Sequence, residues 1–338
     1  MAELPPLVQA MLDPAFYPHH PPAVELIQTH ISYIFLAGDL VYKVKKPVDF
    51  GFLDFTTLEK RYYYCQEEVR LNRRFSPQVY LAVVPISAVD DSFRLGDDTA
   101  VVEYAVQMRR INEDHMLYRL LEAGEVGPET MQRIGKHLAS AYGAIPSDEK
   151  ARAFGSLDVI AANVKENFEQ TRVYIGGPLS RETFEVIESW SLAFMEEQRA
   201  LFQQRVAQGQ VKDCHGDLHL QHICLEGEHI YVFDCIEFNE RFRFGDVASD
   251  VAFLAMDLDF HDHPDLARAF VDAYIEASGD TTLAQVLVFY KVYRAYVRAK
   301  ITSFMVDDPG LDEKAKKDVL QRAKAYYDLA LKYVKDTP

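Results

Sequence analysis

The stretch between residues 214 and 250 constrains this chain of 338 residues more than any other feature. It contains the string His-Gly-Asp-Leu-His at 215–219 and an apolar run at 230–233 that ends at Asp234. Each carboxylate follows a predicted strand, because Asp217 comes after the short run 210–214 and Asp234 after the run 230–233. Phosphoryl transfer needs two such groups, since one orients the attacking hydroxyl and the other holds the Mg²⁺ that neutralises the phosphates. The stretch therefore favours phosphoryl-transfer chemistry at two neighbouring strand ends.

His-Gly-Asp-Leu-His followed by an apolar strand that ends in aspartate resembles the aminoglycoside phosphotransferase and choline kinase branch of the kinase-like fold. Two longer strings, Phe-Asp-Cys-Ile-Glu-Phe-Asn at 233–239 and Asp-Val-Ala-Ser-Asp-Val-Ala-Phe-Leu at 246–254, are similar to a bacterial subfamily of aminoglycoside-phosphotransferase-like proteins. The resemblance covers roughly residues 24 to 305 and is specific as a set of motifs. Some members carry an extra P-loop domain. Because the chain contains no Gly-x-x-x-x-Gly-Lys-Ser/Thr, we expect a version without that domain.

The resemblance implies an α+β, protein-kinase-like bilobal fold. We expect residues 1–107 to form a nucleotide-binding lobe with a five-stranded antiparallel sheet and one helix. Residues 108–338 would form a mainly helical catalytic and substrate lobe, with a helical insertion at about 150–208 that shapes the substrate site. β-branched and aromatic runs predict strands at 24–27, 33–36, 40–44, 79–85 and 100–106. Apolar residues at helical spacing predict helices at 116–122, 128–145, 157–173, 181–208, 247–259, 264–276, 282–304 and 312–333.

A lysine on the third strand is the first candidate nucleotide ligand. Val-Tyr-Lys at 41–43 resembles the Val-Ala-Ile-Lys strand motif, whose lysine reaches the α- and β-phosphates. Lys45 shares the same face, so both lysines stay open, with Lys43 favoured. The next helix begins at a capping box with Thr56 as the cap and Glu59 three residues later. It should carry a glutamate that pairs with the lysine, and the family pattern favours Glu68 over Glu67.

Two further nucleotide contacts are predicted in the first lobe. The turn at 28–32 occupies the place of a glycine-rich phosphate loop but contains no glycine. The hydroxyls of Thr29 and Ser32 would cap phosphates there, and a plain hairpin turn is the equally open alternative. The segment 107–110 is the predicted hinge between the lobes, with Met108 as an apolar wall for adenine. A core methionine at a strand end is the alternative.

For the catalytic region, the resemblance implies that Asp217 is the base and that Asp234 binds Mg²⁺. Asp250 would support the catalytic loop by hydrogen bonds. Relatives carry a metal-binding asparagine five residues after the catalytic aspartate, and here that position is His222. Imidazole is a softer ligand than the oxygens that Mg²⁺ prefers. Three outcomes stay open: His222 binds metal and favours Mn²⁺, a water molecule replaces it, or the chain binds nucleotide poorly.

A zinc site built from the histidines at 215, 219 and 222 is disfavoured. Histidines four residues apart share one face of a helix, but Gly216 and the strand-loop context argue against a helix here. The chain also lacks a His-Glu-x-x-His string.

Tyr142 stands where relatives often carry histidine, and we interpret it as a packing change. Residues 291, 294 and 298 place three cations on one helix face, for which an ion-paired surface is the preferred interpretation.

The net charge of −16 argues against nucleic acid as the main partner, because phosphate backbones bind basic surfaces. It suits a cationic substrate, although acidic proteins are common and net charge mostly reports solubility.

The four cysteines have no Cys-x-x-Cys spacing, which favours reduced thiols in the cytoplasm. No apolar run reaches membrane-span length, and the first residues do not resemble a signal peptide. We therefore expect a cytoplasmic protein without a membrane span.

Together these features predict ATP-dependent phosphorylation of a hydroxyl on a small molecule, with Mg²⁺ or Mn²⁺ as the metal. The resemblance implies an amino-sugar, sugar or amino-alcohol as the acceptor. The alternative is a catalytically weak, kinase-like module that binds nucleotide or a protein, which His222 and the glycine-free turn favour. Retention of Lys43, Glu68, Asp217 and Asp234 argues for the active enzyme. Nucleotidyl transfer is a third possibility, and it would release pyrophosphate rather than ADP.

Overall fold

The computed structural model describes residues 4–90, 92–308 and 310–337. Its strands are β1 (Val24–Gln28), β2 (Ser32–Ala37), β3 (Leu40–Lys45), β4 (Tyr80–Val89), β5 (Ser92–Leu95), β6 (Val101–Arg109), β7 (Val211–Asp213), β8 (Ile223–Glu226), β9 (His229–Val232) and β10 (Phe244–Asp246). Its α-helices are α1 (Pro6–Ala10), α2 (Leu58–Asn72), α3 (Leu117–Glu122), α4 (Pro128–Ala144), α5 (Glu149–Phe154), α6 (Leu157–Thr171), α7 (Arg181–Glu197), α8 (Arg199–Ala207), α9 (Glu240–Arg243), α10 (Val247–Phe260), α11 (Pro264–Ser278), α12 (Leu283–Phe304) and α13 (Glu313–Asp336).

The described chain forms two compact units. The first contains the residues up to 123 together with 221–240, and the second contains 124–220 and the residues from 241 onward. The motif stretch is thus divided, since residues 214–220 belong to the second unit and 221–240 to the first. The predicted lobes at 1–107 and 108–338 stay a prediction, because compact units need not coincide with functional lobes. Within the described residues, no helix combines the length and apolar character needed to cross a bilayer.

In the part of the first unit that the structure describes, β1 to β6 form one antiparallel sheet in the order β1-β2-β3-β6-β4-β5. The prediction of five strands was wrong, because the segment after residue 91 forms a sixth strand. That strand, β5, pairs with the last residues of β4, with Val89 opposite Ser92. Turn-forming aspartates and Gly96 flank it, and they hid a strand of only four residues. The turn between β2 and β3 uses Gly38 at φ +64°, which glycine adopts without strain.

The alternation of β3 places its side chains on two different surfaces. Tyr42 and Val44 belong to a buried cluster with Tyr17 and Phe35. The residues between and after them, Lys43 and Lys45, point to the opposite face, as the two-residue period of a strand requires. Hydrogen bonds from both lysines reach the motif segment or α2 on that face. The sheet therefore packs one face of β3 in this hydrophobic core, and β3 presents its two lysines on the other face.

Helix α2 begins one residue later than predicted. Its cap is Thr57, whose hydroxyl accepts a hydrogen bond from the Lys60 amide at 3.3 Å. The capping box predicted at Thr56 was wrong, because the Thr56 hydroxyl donates instead to Asp54 at 2.6 Å. Because the helix starts at Leu58, the residue in the cap position is Thr57, and Thr56 lies one residue before it.

Strand β6 runs through Arg109, three residues beyond the predicted strand end at 106. Leu40 pairs with Arg109 and Val41 with Met108 across the β3–β6 ladder. The predicted strand end was therefore wrong, and the hinge role of residues 107–110 stays a prediction. The polar Gln107-Met108-Arg109 sequence resembled the end of a strand, but continued pairing with β3 extends the strand through it.

The second unit is mainly helical. Helix α10 is buried on nearly all sides, and from residue 247 to 258 only Ser249 is partly exposed. Helices α4 and α11 pack closely at Gly135, where a Cβ atom would lie 2.6 Å from the Phe270 carbonyl oxygen. The single helix predicted over 181–208 was wrong, because the backbone leaves the helical region at Gln198 (φ −98°, ψ 18°) and separates α7 from α8. No glycine or proline marks that break in the sequence.

Arg205 of α8 is a fully buried cation that anchors the start of α10. Its guanidinium donates to both oxygens of Asp246 at 2.6 and 2.7 Å and to Asp280 at 2.8 and 2.9 Å. Asp246 in turn caps α10 by accepting the Ala248 amide at 2.9 Å. The pKa of Arg205 is raised, because the two carboxylates outweigh the opposing effect of burial. The hydrogen bonds of Arg205 and Asp246 therefore hold the first turn of α10 in place.

Candidate functional site

Lys43 lies between two carboxylates in the first unit. Its Nζ is 2.8 Å from Glu68 Oε1 and 2.8 Å from Asp234 Oδ1. Glu68 is buried, whereas 44% of the Asp234 side chain is exposed. Burial alone would lower the pKa of Lys43, but Asp234 and Glu68 outweigh it and hold that pKa well above its usual value. Lys43 is therefore a fixed cation beside an accessible carboxylate.

Lys45 also binds Glu68, so the two lysines that the sequence left as alternatives both take part. Its Nζ is 2.7 Å from Glu68 Oε2, and it forms an ion pair with Glu237 as well. Burial would raise the pKa of Glu68, but the two lysines outweigh it and keep that pKa below its usual value. Glu67 instead pairs with Arg70 at 2.7 Å on its own helix. The geometry thus brings Glu68, the predicted glutamate, to the lysines.

Asp234 directly follows β9 in a strained backbone conformation. Its φ is +64°, a left-handed value that non-glycine residues rarely adopt. Its amide donates to the Tyr80 hydroxyl at 3.1 Å, and the Cys235 amide donates to Asn72 Oδ1 at 2.9 Å. Two residues before Asp234, the Val232 backbone forms two hydrogen bonds of 2.8 Å with the Ser76 hydroxyl. These contacts hold the strand end against α2 and β4, and strain of this kind persists only where the surroundings over-determine it.

His222 lies beside Asp234 in the first unit. Its Nε2 is 3.6 Å from Asp234 Oδ2, and 14% of its side chain is exposed. Asp234 and His222 therefore offer a carboxylate and an imidazole to the same region. A mixed oxygen and nitrogen pair fits Mg²⁺ less well than two oxygens would, and it fits Mn²⁺ or another transition metal better.

The turn between β1 and β2 is closed by hydrogen bonds to the Thr29 side chain. The Thr29 hydroxyl accepts the amides of Ile31 and Ser32 at 3.3 and 3.0 Å. Ser32 is fully buried, and its hydroxyl has no hydrogen-bond partner among the described residues. This geometry favours the hairpin-turn alternative, and the phosphate-binding roles of Thr29 and Ser32 stay predictions.

Met108 packs in a hydrophobic cluster of the first unit. The cluster contains Val69, Val79, Tyr80 and Tyr231, and Met108 is partly buried against it. This environment favours the core-methionine alternative, because a thioether fills irregular gaps in such clusters. The adenine-binding role of Met108 stays a prediction.

In the second unit, Asp250 of α10 holds the start of the His-Gly-Asp loop. Its carboxylate accepts the His215 amide at 2.7 Å and the Gly216 amide at 3.2 Å. Arg294 of α12 donates to the Gly216 carbonyl at 2.8 Å and to Asp250 at 3.2 Å. Tyr142, interpreted from the sequence as a packing residue, donates its hydroxyl to Asp250 at 2.6 Å. The loop start is thus held by backbone hydrogen bonds to a buried carboxylate.

Asp257 holds the other end of the loop. It lies two turns after Asp250 on α10, on the same face of the helix. Its carboxylate accepts the Leu220 amide at 3.0 Å. Asp257 lies outside the motif strings at 215–219 and 246–254. Its spacing of seven residues from Asp250 was the available signal.

Asp217 lies between these two anchors with an accessible carboxylate. Its side chain is 36% exposed, and its amide donates to His215 Nδ1 at 3.3 Å. Buried His219 lies beside it, with Nε2 3.5 Å from Asp217 Oδ2. His219 is therefore a neighbour of the candidate base. Asp217 can accept a proton from a hydroxyl that reaches it.

The chain is similar to known proteins in sequence and in fold. An uncharacterized protein of Mycobacterium tuberculosis is 32% identical over 280 residues, which is 83% of this chain and 55% of that protein. The chain thus spans about half the length of the curated relatives it matches. A choline kinase from Cryptosporidium parvum has a TM-score of 0.58 at 9% identity and covers 98% of this chain and 95% of its own.

Two further solved structures have the same fold. A choline/ethanolamine kinase family protein from Mesorhizobium loti has a TM-score of 0.55 at 14% identity and covers 97% of this chain and 99% of its own. A glucosamine kinase, solved with glucosamine, ADP and inorganic phosphate, has a TM-score of 0.51 at 15% identity. The match covers 90% of this chain and 75% of that kinase. At such identities the likeness shows the fold alone, and the predicted kinase-like fold is confirmed. Because the model of the phosphotransferase enzyme family matches residues 16–286, the chain belongs to that family.

Proposed function

We propose that the chain is a small-molecule kinase that transfers the γ-phosphoryl group of ATP to a substrate hydroxyl. The observation that carries the proposal is the position of Lys43, with Nζ 2.8 Å from buried Glu68 and 2.8 Å from accessible Asp234. In kinase-like sites a lysine so placed contacts the phosphates, and the aspartate holds the metal. Glu68 keeps the Lys43 side chain extended toward that position.

Asp234 and His222 would hold the metal, which neutralises charge on the phosphates when bound. Their carboxylate and imidazole fit that role, because both side chains are partly exposed and their nearest atoms are 3.6 Å apart. A transition metal such as Mn²⁺ suits this pair better than Mg²⁺ does. The metal preference of the chain is therefore open to direct measurement.

Asp217 would orient the substrate hydroxyl and accept its proton. As the hydroxyl oxygen bonds to the γ-phosphorus, the bond from that phosphorus to the bridging oxygen breaks and ADP leaves. Catalysis of this kind depends mainly on positioning and electrostatics. The hydrogen bonds from Asp250 and Asp257 to the loop support it, because they hold the backbone on both sides of Asp217.

An amino-alcohol, sugar or amino-sugar is the proposed acceptor. Choline kinase and glucosamine kinase are among the proteins that share the fold, and those names describe substrates of those proteins. The net charge of −16 suits a cationic acceptor, because an acidic surface raises the local concentration of cations. A catalytically weak nucleotide-binding module is the second candidate, and the replacement of asparagine by His222 is the observation that favours it.

The full chain should release ADP from ATP only when a suitable hydroxyl acceptor is present. The experiment supplies ATP with Mg²⁺ or Mn²⁺ and a panel of amino-alcohols, sugars and amino-sugars. It measures ADP, pyrophosphate and the phosphorylated acceptor. Equal amounts of ADP and phosphorylated product would support the proposal. Pyrophosphate release would indicate nucleotidyl transfer, and nucleotide binding without turnover would favour the weak binding module.

Replacing His222 by asparagine should move the metal preference from Mn²⁺ toward Mg²⁺. An amide oxygen is the harder ligand, so the ratio of Mn²⁺ to Mg²⁺ affinity in the ADP complex should fall roughly tenfold. His229→Asn is the matched control, because His229 is an exposed residue of β9 in the same unit. An unchanged ratio in His222→Asn would show that a water molecule, and not His222, completes the metal site.

A further inference from the structure

A cluster of five charged side chains surrounds the β3 strand end in the first unit. It contains two ammonium groups and three carboxylates, and its members are Lys43, Lys45, Glu68, Asp234 and Glu237. The cluster therefore carries one excess negative charge when every group is ionised. Four of its side chains are at most 13% exposed, and the Asp234 side chain is the accessible one at 44%.

The two lysines occupy different environments although they are two residues apart. The Lys45 side chain is fully buried, and its ammonium group is shared between Glu68 and Glu237. Burial opposes its charge, but Glu237 and Glu68 raise the pKa of Lys45 above its usual value. Lys43 is partly exposed and pairs with the accessible Asp234. A ligand in solution can therefore compete for Lys43, whereas it cannot reach Lys45.

The segment that carries Asp234 has no regular secondary structure between residues 233 and 237. Backbone hydrogen bonds to Tyr80 and Asn72 hold residues 234 and 235. The next side-chain anchor is Glu237, which is 6% exposed and reaches across 192 residues of sequence to Lys45. An ion pair removed from solvent holds its geometry better than an exposed one, because no water competes for its charges.

We propose that Lys45 and Glu237 are positioning residues whose buried ion pair fixes the 234–237 segment against β3 and so places the Asp234 carboxylate for the metal. In this arrangement Lys45 also holds Glu68, so Glu68 keeps a cationic partner when Lys43 turns to the phosphates. The inference rests on the proposed function, because it concerns the metal and nucleotide of the same site. It adds a second lysine and a third carboxylate to that site.

The test measures Mn²⁺ binding to the full chain in the presence of saturating ADP, by electron paramagnetic resonance of the free ion. Glu237→Gln should lower the Mn²⁺ affinity about tenfold, as the loss of a group that orients a metal ligand does. ADP affinity without metal, measured by calorimetry, should change less than about threefold. Glu237→Asp keeps the charge but shortens the side chain, and it should give a smaller loss of the same kind.

The double variant Lys45→Met with Glu237→Gln removes both charges of the pair, and Glu68 keeps Lys43 as its partner in the nucleotide-free chain, so folding can be tested without an unpaired buried ion. Because both residues act through one pair, it should lose no more Mn²⁺ affinity than Glu237→Gln alone. The matched control is Glu103→Gln. Glu103 forms a buried ion pair with Arg61 at 2.8 Å in the same unit, and that pair joins β6 to α2. The Glu103→Gln variant should lower the midpoint temperature of thermal unfolding and leave the Mn²⁺ affinity unchanged.

Native Mn²⁺ affinity in Glu237→Gln, or an equal loss in Glu103→Gln, would overturn the inference while leaving the proposed function standing. Failure of the native chain to bind ADP or Mn²⁺ at all would overturn the proposed function, and the inference with it. A tenfold loss confined to the variants of the Lys45–Glu237 pair would support it.

Discussion

Replacing Asp217 by asparagine is expected to reduce phosphoryl transfer roughly 10²- to 10⁴-fold, the range that a general base contributes. The amide keeps the size of the side chain but cannot accept the proton of the substrate hydroxyl. The backbone of the loop should be unchanged, because Asp250 and Asp257 bind the amides of neighbouring residues and not the Asp217 side chain. The measurement is kcat with the acceptor that the panel identifies, together with the affinity for ADP.

Nucleotide affinity should be nearly unchanged in Asp217→Asn, which separates loss of chemistry from loss of binding. The control is Asp265→Asn, the same chemical change at a side chain that is 89% exposed. This control variant should keep the native kcat and the native affinity for ADP. If Asp217→Asn kept more than a tenth of the native rate, the role of Asp217 as base would be wrong.

Replacing Asp234 by asparagine is expected to abolish the metal-dependent part of nucleotide binding. A ligand that binds only the folded state stabilises it by about 2.7 kcal/mol at 100 times its dissociation constant. The native chain should show that gain with ATP and Mn²⁺ or Mg²⁺, and the variant should not. Thermal unfolding with and without each metal provides the measurement.

Metal-free ATP binding should behave differently in the same variant. Loss of the Asp234 carboxylate removes one of the two partners of Lys43 and leaves Glu68 as the other. Metal-free affinity should therefore be kept or increased, because the ammonium group has one competitor fewer for the phosphates. Asp98→Asn, at an exposed residue of the same unit, is the control. A metal-dependent shift that survives in Asp234→Asn would refute the assigned metal ligand.

Much of the local structure was predictable because it depends on short-range spacing. Runs of β-branched and aromatic residues identified β1, β2 and β3, and apolar residues at helical spacing located helices such as α4 and α10 within one or two residues. The motif string identified the loop around Asp217 and the strand end at Asp234. The kinase-like fold followed from these motifs as a set, and the solved structures confirm it.

The errors have physical causes of longer range. The break at Gln198 has no glycine or proline to announce it, so the separation of α7 from α8 comes from tertiary packing. Strand β6 extends through Arg109 because β3 supplies partners to its last residues. Strand β5 exists because β4 is long enough to pair with it. For β6 a strand distant in sequence outweighed the local signal, and for β5 the pairing partner is the strand directly before it.

The sequence by itself determined which side chains are the candidates for the proposed chemistry, because motif spacing and strand alternation depend on near neighbours. It identified Lys43, Asp217 and Asp234 and left Lys45 as an alternative to Lys43. Only the tertiary structure decided that Lys45 is buried with Glu237, a partner 192 residues away. It likewise decided that Asp250 and Asp257 hold the two ends of one loop. Burial and long-range charge pairing depend on the whole fold, and these two effects separate the reactive groups from the groups that position them.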